Sequence, residues 1–341
     1  MTTNKSITIG QTEVLPGQRV NINLPVTDLY TSTPLSMPVQ VICGRKAGPT
    51  LFVSAAVHGD ELNGVEIIRR LLQRKGLRSL QGTLIAVPIV NVQGFLNQSR
   101  YLPDRRDLNR SFPGSAKGSV AARLANKFLH HVVSKADYGI DLHTGAINRF
   151  NLPQIRGNLD DAKTLELAQV FGVPVILNAN ILDGSLRACA EEYHVPMLIY
   201  EAGEALRFDE ISICAGLRGI VSVMQHIGML TGVQQIRRSK PVLARSTSWV
   251  RAPASGIVSD QVKLGSKVVK GQRLATISDP LGDEEESAMA TFDGIVIGRS
   301  NLPLAHEGDA LFNVAAFESV PRAEDRVEAF TAGLDPDPQE S

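Results

Sequence analysis

The sequence has few cysteines, no excess of either charge and no long apolar runs, three features that would each point to a particular class of protein. Lysine and arginine together number 35, as do aspartate and glutamate, so the formal net charge is zero. Proteins that bind nucleic acids or membrane surfaces usually carry a basic excess. No stretch has the roughly 18 consecutive apolar residues that a membrane-spanning helix needs. We therefore expect neither a nucleic acid nor a membrane as partner.

The number and spacing of the cysteines indicate the cellular compartment of the protein. Cys43, Cys189 and Cys214 are scattered along the sequence and form no CxxC motif. An odd number without metal-ligand spacing is typical of reduced, buried thiols. The first residues also lack the apolar core of a signal peptide. Together these absences predict a cytoplasmic protein.

The length of 341 residues exceeds what one small core needs and predicts two domains. In residues 1–240, apolar strand-like runs alternate with helix-like patterns, which predicts an α/β fold with helices on both faces of a sheet. The main strands are expected at 51–57, 83–90, 138–143, 173–177 and 196–201, and the helices at 63–73, 119–134, 160–171 and 211–229.

The pattern of apolar residues and glycines changes after residue 240. Strand-like runs become short, glycines become frequent, and "APASGIV" at 252–258 is echoed by "ATFDGIV" at 290–296. This pattern predicts a small all-β module over residues 241–325. Residues 326–341 are polar and end in "DPDPQES", so we expect a flexible tail there.

A turn with both an imidazole and a carboxylate follows the apolar run at 51–57. His58 and Glu61 stand three positions apart in this turn, and His143 ends a second buried strand. Strand ends of this kind can meet at one edge of the sheet, where open α/β folds bind ligands. A catalytic zinc needs three such protein ligands and an open position for water. The sequence therefore predicts one Zn²⁺ per chain, held by His58, Glu61 and His143.

Each of these pieces also has a structural alternative. Glu61 near a helix start can merely complement the helix dipole, and a single histidine at a strand end is usually a surface residue. Asp141, two residues before His143 on the same strand face, is a candidate to hold an imidazole N–H. There is no HExxH motif, which excludes the helical zinc-protease arrangement.

Two further segments carry candidate residues. The first is "DRRDLNRSFPG" at 104–114, which contains Asn109 and Arg110. The side-chain amide of Asn109 and the guanidinium of Arg110 can together bind a substrate carboxylate. In "LIYEAGE" at 198–204, Glu201 ends a buried strand and is the expected general base beside a metal-activated water. Glu204 is the alternative base, but it lies beyond a glycine, where we expect it to face solvent.

In this order, HGDExxG, DLNRxFPG, DLHTG and ExG resemble the succinylglutamate desuccinylase/aspartoacylase family, a branch of the zinc carboxypeptidase-like hydrolases. The similarity covers roughly residues 35–235. It implies a zinc carboxypeptidase-like mixed sheet, the ligand set named above, Glu201 as catalytic carboxylate, and Asn109 with Arg110 at a substrate carboxylate. It also implies that Arg100 polarises the scissile carbonyl; Arg105 and Arg106 are alternatives because the spacing to Asn109 is longer here.

The family's further substrate arginine, shortly before the catalytic glutamate, has no clear equivalent in the sequence. Glu191, Glu192 and Tyr193 stand in that region, and the closest arginine is Arg187. Acidic residues near the substrate would favour a neutral or cationic side chain, as in N-acetyl-diaminobutyrate. The substrate expected from these residues therefore differs from N-acetylaspartate and succinylglutamate, the substrates that the resemblance suggests first.

The C-terminal module resembles the biotinyl/lipoyl-type barrel with two quasi-repeated halves. A carrier domain of that type needs an exposed lysine at the hairpin between the halves, but no lysine occurs between Arg273 and Arg299. The acidic stretch from Asp283 to Met289 occupies that place, and we expect it to be a solvated loop. The module is therefore expected to be a non-carrier barrel that caps the cleft or forms an interface between copies of the chain.

The sequence thus predicts a zinc-dependent amidohydrolase that removes the acyl group from a small N-acyl amino acid. Two alternatives remain: a metallocarboxypeptidase acting on peptides, and an inactive binding or assembly protein with the same residues. The same chemistry could also cleave esters, and cobalt, nickel or iron could occupy a site of nitrogen and oxygen ligands. A homo-oligomer is compatible with this interpretation.

Overall fold

The computed structural model describes residues 2–179, 182–231, 241–259 and 261–333. The strands in these ranges are β1 (Ile7–Ile9), β2 (Thr12–Val14), β3 (Arg19–Asp28), β4 (Pro34–Cys43), β5 (Lys46–Ala55), β6 (Gln81–Val87), β7 (Tyr138–Gly145), β8 (Arg149–Gly157), β9 (Val175–Asn178), β10 (Met197–Glu204), β11 (Val242–Arg251), β12 (Gly256–Ser259), β13 (Lys267–Val268), β14 (Arg273–Ser278), β15 (Glu285–Met289), β16 (Gly294–Ser300), β17 (Leu304–Ala305) and β18 (Ala310–Phe317). The α-helices are α1 (Asn63–Gln73), α2 (Val92–Leu96), α3 (Val120–His131), α4 (Ala162–Phe171), α5 (Leu186–Glu192), α6 (Glu210–His226) and α7 (Val320–Ala332).

The long helices form where the sequence gives both an apolar stripe and a start signal. α1 buries Ile67, Ile68 and Leu71 on one face, as the 3.6-residue period requires. α3 begins after Ser119, whose hydroxyl accepts a hydrogen bond from the backbone N–H of Ala122. Both helices lie where the sequence predicted them.

Twelve strands of the described chain form one mixed sheet, in the order β13-β16-β18-β11-β9-β8-β10-β7-β5-β6-β4-β3. At its centre β10, β7, β5 and β6 are parallel neighbours. Their carboxyl ends therefore meet at one edge. β8 runs antiparallel to β10, and β4 runs antiparallel to both β3 and β6. The mixed α/β fold expected from the sequence is confirmed.

Helices cover both faces of this sheet. α1, α4 and α6 pack on one face, over the side chains of Leu51 and Val53 of β5. α3 and α5 pack on the other face, where Phe52 meets Phe128 edge to face at 6.1 Å between ring centroids. Alternate residues of β5 thus point into opposite cores, as the period of two in a strand dictates. The predicted placement of helices on both faces is confirmed.

The sheet-rich C-terminal region joins the main sheet. β8 pairs with β9 and β16 along one side, β9 pairs with β11, and β18 pairs with both β11 and β16. These five strands close into a ring around buried residues that include Leu152, Ile295 and Phe317. A second sheet, ordered β15-β14-β12-β17, completes the region.

The acidic stretch and the tail differ from expectation. Residues 285–289 form the strand β15, paired antiparallel with β14, so the acidic segment is not only a loop. The tail expected from residue 326 is helical up to Ala332, because Ala323 and Val327 stand one turn apart and bury their side chains against the ring. Residues 334–341 lie outside the described residues, as do 232–240 beside the predicted domain boundary. Among the described helices, each is too short or too polar to span a membrane.

Candidate metal centre and active site

The candidate ligands come from two neighbouring parallel strands. β5 ends at Ala55, which pairs with Leu142 of β7, so the turn after β5 lies beside the end of β7. That turn carries His58 and Glu61 before α1 begins, while His143 lies within the last residues of β7. The shared carboxyl edge of the sheet therefore brings the three side chains together, as the sequence predicted.

Two glycines explain the tight local packing of this turn. A Cβ on Gly59 would lie 2.0 Å from the carbonyl carbon of Gly94, so only glycine allows the two backbones to touch. A Cβ on Gly64 would lie 2.7 Å from the Cβ atoms of Ala55 and Leu142. The glycines of "HGDELNG" thus hold the turn down on the sheet and against the segment that follows β6.

The three side chains converge on one point. His58 Nδ1 lies 2.8 Å from Glu61 Oε1, and His143 Nδ1 lies 2.8 Å from Glu61 Oε2. One ligand atom from each residue lies within 4.8 Å of the other two, and all three residues are buried. In the described part of the chain this is the group of His, Cys, Asp or Glu side chains with a geometry suited to a metal ion.

Each imidazole is held on its far side by another carboxylate. His143 Nε2 lies 2.7 Å from Asp141 Oδ2, and Asp141 in turn accepts a 2.7 Å hydrogen bond from Ser54 Oγ. His58 Nε2 lies 3.1 Å from Asp107 Oδ1. Carboxylates in this position orient metal-ligating histidines through the ring nitrogen that does not face the metal. The predicted partner Asp141 is found where it was expected, while Asp107 was not predicted.

The electrostatics of the cluster also suit a cation. Burial alone would raise the pKa of Glu61, but His58 and His143 outweigh burial and hold that pKa well below its usual value. Burial would lower the pKa of both histidines, but Glu61 with Asp107 raises it for His58, and Asp141 with Glu61 raises it well above normal for His143. Carboxylates that favour a proton on each ring also favour a divalent cation in place of those protons. The donor set fits one such ion.

Arg100 lies at the rim of this cluster. Its Nη1 donates to Glu61 Oε1 at 3.1 Å, and its Nη2 lies 3.4 Å from Asp107 Oδ2. Arg105 and Arg106, the alternatives for its role, are exposed, and Arg106 pairs with Asp104 instead. The geometry therefore favours Arg100 over both.

Asn109 and Arg110 lie beside Arg100 on the same loop. The Asn109 side-chain oxygen accepts a 3.0 Å hydrogen bond from the backbone N–H of Leu186, which ties the loop to the start of α5. This arrangement leaves the Asn109 amide nitrogen as the donor toward a ligand. Arg110 is exposed, and its Nη1 donates to the backbone oxygen of Asn109 at 2.7 Å.

All the predicted site residues line one cavity of about 200 Å³. Glu201, whose partner in β7 is His143, also lines it and accepts a hydrogen bond at Oε2 from Asn151 Nδ2 at 3.1 Å. Glu204 is outside the cavity and accepts hydrogen bonds from the backbone of Asn148 and the side chain of Asn301. The predicted members of the lining are His58, Glu61, Arg100, Asn109, Arg110, His143 and Glu201.

Two arginines that the sequence did not assign also line this cavity, Arg156 and Arg187. Burial, and then the like charge of Arg156, lower the pKa of the Arg187 guanidinium. Glu191 lines a second cavity of about 340 Å³, which shares Arg187 with the first, and it accepts a hydrogen bond from Asn158. Glu192 and Tyr193 are exposed. Glu191, Glu192 and Tyr193 therefore do not line the cavity that holds the candidate ligands, whereas Arg187, on the same short helix α5, does.

Comparison with known proteins identifies the protein family of this chain. The family model described as "Succinylglutamate desuccinylase/Aspartoacylase catalytic domain" matches residues 47–227, more than half of the 341 residues. The chain belongs to the succinylglutamate desuccinylase/aspartoacylase family. The match includes the metal-ligand cluster, the loop with Asn109 and Arg110, and Glu201.

A relative of similar length is named for a specific enzymatic activity. An N-alpha-acetyl-L-2,4-diaminobutyric acid deacetylase from Halomonas elongata is 27% identical over 307 residues, which cover 86% of this chain and 90% of the relative. The family relationship and this relative support an enzyme that hydrolyses an amide and releases an acyl group.

Two solved structures share most of this architecture. A succinylglutamate desuccinylase/aspartoacylase from Rhodobacter sphaeroides is 26% identical with a TM-score of 0.78, covering 88% of this chain and 96% of that one. The ectoine utilization protein from Ruegeria pomeroyi, in a product-bound structure, shows the fold at 24% identity and a TM-score of 0.80, covering 92% and 100%. Such coverage includes much of the sheet-rich C-terminal region, which is therefore part of the shared fold.

Proposed function

We propose that the protein is a zinc-dependent deacylase that hydrolyses the N-acyl amide bond of a small N-acyl amino acid. The observation that carries this proposal is the convergence of His58, Glu61 and His143 within 4.8 Å at the carboxyl edge of the sheet. Bound by these residues, Zn²⁺ would supply Lewis acidity and a water of lowered pKa. The donor set of two imidazoles and one carboxylate is that of a catalytic zinc site, which keeps one position open.

The chain's own residues supply the remaining steps. Glu201 takes a proton from the attacking water and returns it to the leaving nitrogen as the C–N bond breaks. Arg100 donates hydrogen bonds to the negative charge that develops on the carbonyl oxygen. Asn109 and Arg110 bind the substrate carboxylate and hold the amide in line. The products are the free amino acid and the carboxylate of the acyl group.

The size of the cavity favours a small substrate over a peptide. About 200 Å³ is enough for a short acyl amino acid, whereas clefts for larger ligands reach roughly 300–1,000 Å³. Arg156 of β8, one of the strands of the C-terminal ring, forms part of the cavity wall. These features favour the deacylase over the metallocarboxypeptidase alternative.

The charge of the cavity favours a substrate with two anionic groups. Four arginines and two carboxylates line it: Arg100, Arg110, Arg156, Arg187, Glu61 and Glu201. Arg100 already pairs with Glu61 and Asp107, and Arg156 Nε lies 3.3 Å from Glu201 Oε2, so we expect substrate anions at the wall formed by Arg110 and Arg187. Burial and the charge of Arg156 lower the pKa of Arg187, whereas Glu191 and Glu201 act against this, and a substrate anion at this wall would further favour the charged form. We therefore infer a second carboxylate, on the amino-acid side chain or on the acyl group.

A substrate screen with purified, metal-analysed protein tests the proposal. N-acetylaspartate and N-acetylglutamate carry the second carboxylate on the amino acid, N-succinyl amino acids carry it on the acyl group, and N-acetyl-diaminobutyrate carries an amine instead. We expect hydrolysis to be fastest in one of the two dicarboxylate classes. A preference for N-acetyl-diaminobutyrate would contradict the inference about charge, and hydrolysis of none of them would contradict the proposed function.

A further inference from the structure

The strand β8 places a hydrogen-bond donor, Asn151, and a cationic side chain, Arg156, at the same oxygen of Glu201. Asn151 Nδ2 lies 3.1 Å and Arg156 Nε lies 3.3 Å from Glu201 Oε2. β8 and β10 are antiparallel neighbours, and their register shifts between Glu201 and Gly203. A register shift of this kind re-aims a side chain next to an active site. Because the Asn151 hydrogen bond and the Arg156 charge are both at Oε2, Oε1 is the oxygen through which Glu201 can exchange a proton.

Asn151 is itself held by the C-terminal region. It is buried, with 8% of its surface exposed, and its partner in β16 is Gly298. A Cβ on Gly298 would lie 2.8 Å from Asn151 Oδ1 and 3.4 Å from the Cβ of Asn313 in β18. The Asn151 amide therefore packs against bare backbone, and any side chain at residue 298 would have to displace it.

A second asparagine at the same edge provides a contrast. Asn301, just beyond β16, donates to Glu204 Oε2 at 2.8 Å. Glu204 lies outside the cavity lined by Glu201, so this bond joins the same strands without reaching the reacting atoms. Both pairs thus join an asparagine amide to a glutamate of β10, but Asn151 is buried and Asn301 exposed, and only the Asn151 pair includes a cavity residue.

We propose that Asn151 is a positioning residue for Glu201, and that β16 of the C-terminal region keeps Asn151 in place through the close approach of Gly298. The proposal rests on the proposed role of Glu201 as proton acceptor. It gives the C-terminal strands a part in catalysis, since they fix the amide that orients the carboxylate. Displacing a catalytic group by about 1 Å can lower turnover roughly 100-fold.

The experiment compares five variants of the full-length, metal-loaded protein: Asn151→Ala, Asn151→Asp, Gly298→Ala, Asn301→Ala and Glu201→Ala. For each we would measure kcat, KM, metal content and the midpoint of thermal unfolding. Asn151→Asp keeps the size of the side chain but replaces the amide donor by an acceptor, so it tests the hydrogen bond without opening a cavity. Asn301→Ala is the matched control.

We expect both Asn151 variants to lower kcat by roughly 10- to 100-fold, with KM within about twofold of the parent and metal retained. Gly298→Ala should lower kcat by about 10-fold through the displaced amide, while Asn301→Ala should stay within about twofold. A purely structural role of Asn151 would instead lower kcat in its variants only to the extent that the thermal midpoint and the metal content also fall.

The outcomes separate the two proposals. If Glu201→Ala keeps normal kcat, the proposed role of Glu201 is wrong. If Glu201→Ala loses activity but both Asn151 variants turn over normally, Glu201 keeps its role and the positioning proposal is wrong. Normal kcat in Gly298→Ala, with low kcat in the Asn151 variants, would overturn the part assigned to β16.

Discussion

At the scale of single residues, two glutamates near the end of β10 stand only three positions apart but have different surroundings. Glu201 lines the cavity and is held by Asn151, whereas Glu204 bonds the backbone of Asn148 and the side chain of Asn301 outside it. We predict that Glu201→Ala retains metal but loses roughly 100- to 10,000-fold in kcat, the usual range for a general base. Steady-state kinetics and metal analysis would check this.

The matched variant for that prediction is Glu204→Ala. It removes a carboxylate of the same strand without touching the cavity, so kcat should stay close to that of the parent. If Glu204→Ala were the inactive variant and Glu201→Ala the active one, the base would have been assigned to the wrong residue.

A second prediction concerns Arg187, which is buried in the cavity wall. Loss of a hydrogen bond to a charged group typically costs about 1.5–3 kcal/mol, or roughly 10- to 100-fold. Arg187→Met should therefore reduce kcat/KM for dicarboxylate substrates by that factor and affect substrates with a neutral side chain much less. Arg106→Met, at an exposed position outside the cavity, is the control. Equal losses on both substrate types would contradict the assignment of Arg187 to the second carboxylate.

Much of the site was predictable because its residues follow strand ends in short motifs. His58, Glu61 and His143 each follow or end a recognisable apolar strand, and parallel strands share an edge. Arg156 and Asn151 gave no such signal, since their position depends on which strand pairs with β10. Asp107 stands two residues before Asn109, and only its contact with His58 reveals its role.

At the scale of secondary-structure elements, β8 is the strand that could not be predicted from the sequence. Pro153 lies in its middle and has no N–H to donate, which argues against a central strand. Its residues 151–155 are all buried, so the alternation of a half-exposed strand is missing too. Its position between β10 and the C-terminal strands is fixed by distant pairing, which local sequence patterns do not carry.

An ion-pair cluster joins α1 to α6 and supports a prediction about pH. Arg70 donates to Glu66 at 2.7 Å and to Glu210 at 2.8 Å. Hydrogen bonds from Arg69 outweigh the effect of burial, with help from Arg70, and lower the pKa of Glu66 to about 2. The ionised carboxylate thus stabilises the folded state above the ordinary pKa of 4.5, and this contribution is lost as the pH falls toward 2.

We therefore predict that Glu66→Gln lowers the free energy of unfolding by about 1 kcal/mol at neutral pH, discounted because its partners are solvent-exposed. The difference from the parent should shrink as the pH falls below 4.5. Denaturant titrations at several pH values would measure it. Glu192→Gln, at an exposed site on α5, is the control. A difference that stays constant down to low pH would show that the ion pairs are not its source.

At the scale of the whole molecule, the twelve-stranded sheet runs without interruption from the ligand-bearing strands into the C-terminal region. The closed ring of β8, β9, β11, β18 and β16 buries Ile295 completely. We predict that the chain unfolds in one calorimetric transition and that Ile295→Ala lowers the free energy of unfolding by about 2–5 kcal/mol. Ile257→Ala, at a residue 39% exposed, should have little effect.

Two separate calorimetric transitions, with Ile295→Ala shifting only one of them, would favour the independent domains predicted at 1–240 and 241–325. The sequence suggested that boundary because strand length and glycine content change near residue 240. The amino-acid composition shows such a change, but it does not show that β11 pairs with β9 and β16 with β8, two strands of the first part.

The central claim is that two imidazoles and one carboxylate hold a single catalytic ion. The most direct measurement is the metal content of the purified protein and of His143→Ala, combined with activity before and after chelation and re-addition of Zn²⁺. We predict one equivalent of a divalent metal per chain, loss of activity on chelation with recovery on re-addition, and little metal or activity in His143→Ala. A metal-free protein that hydrolyses its substrate, or a His143→Ala variant that keeps both metal and turnover, would contradict the account.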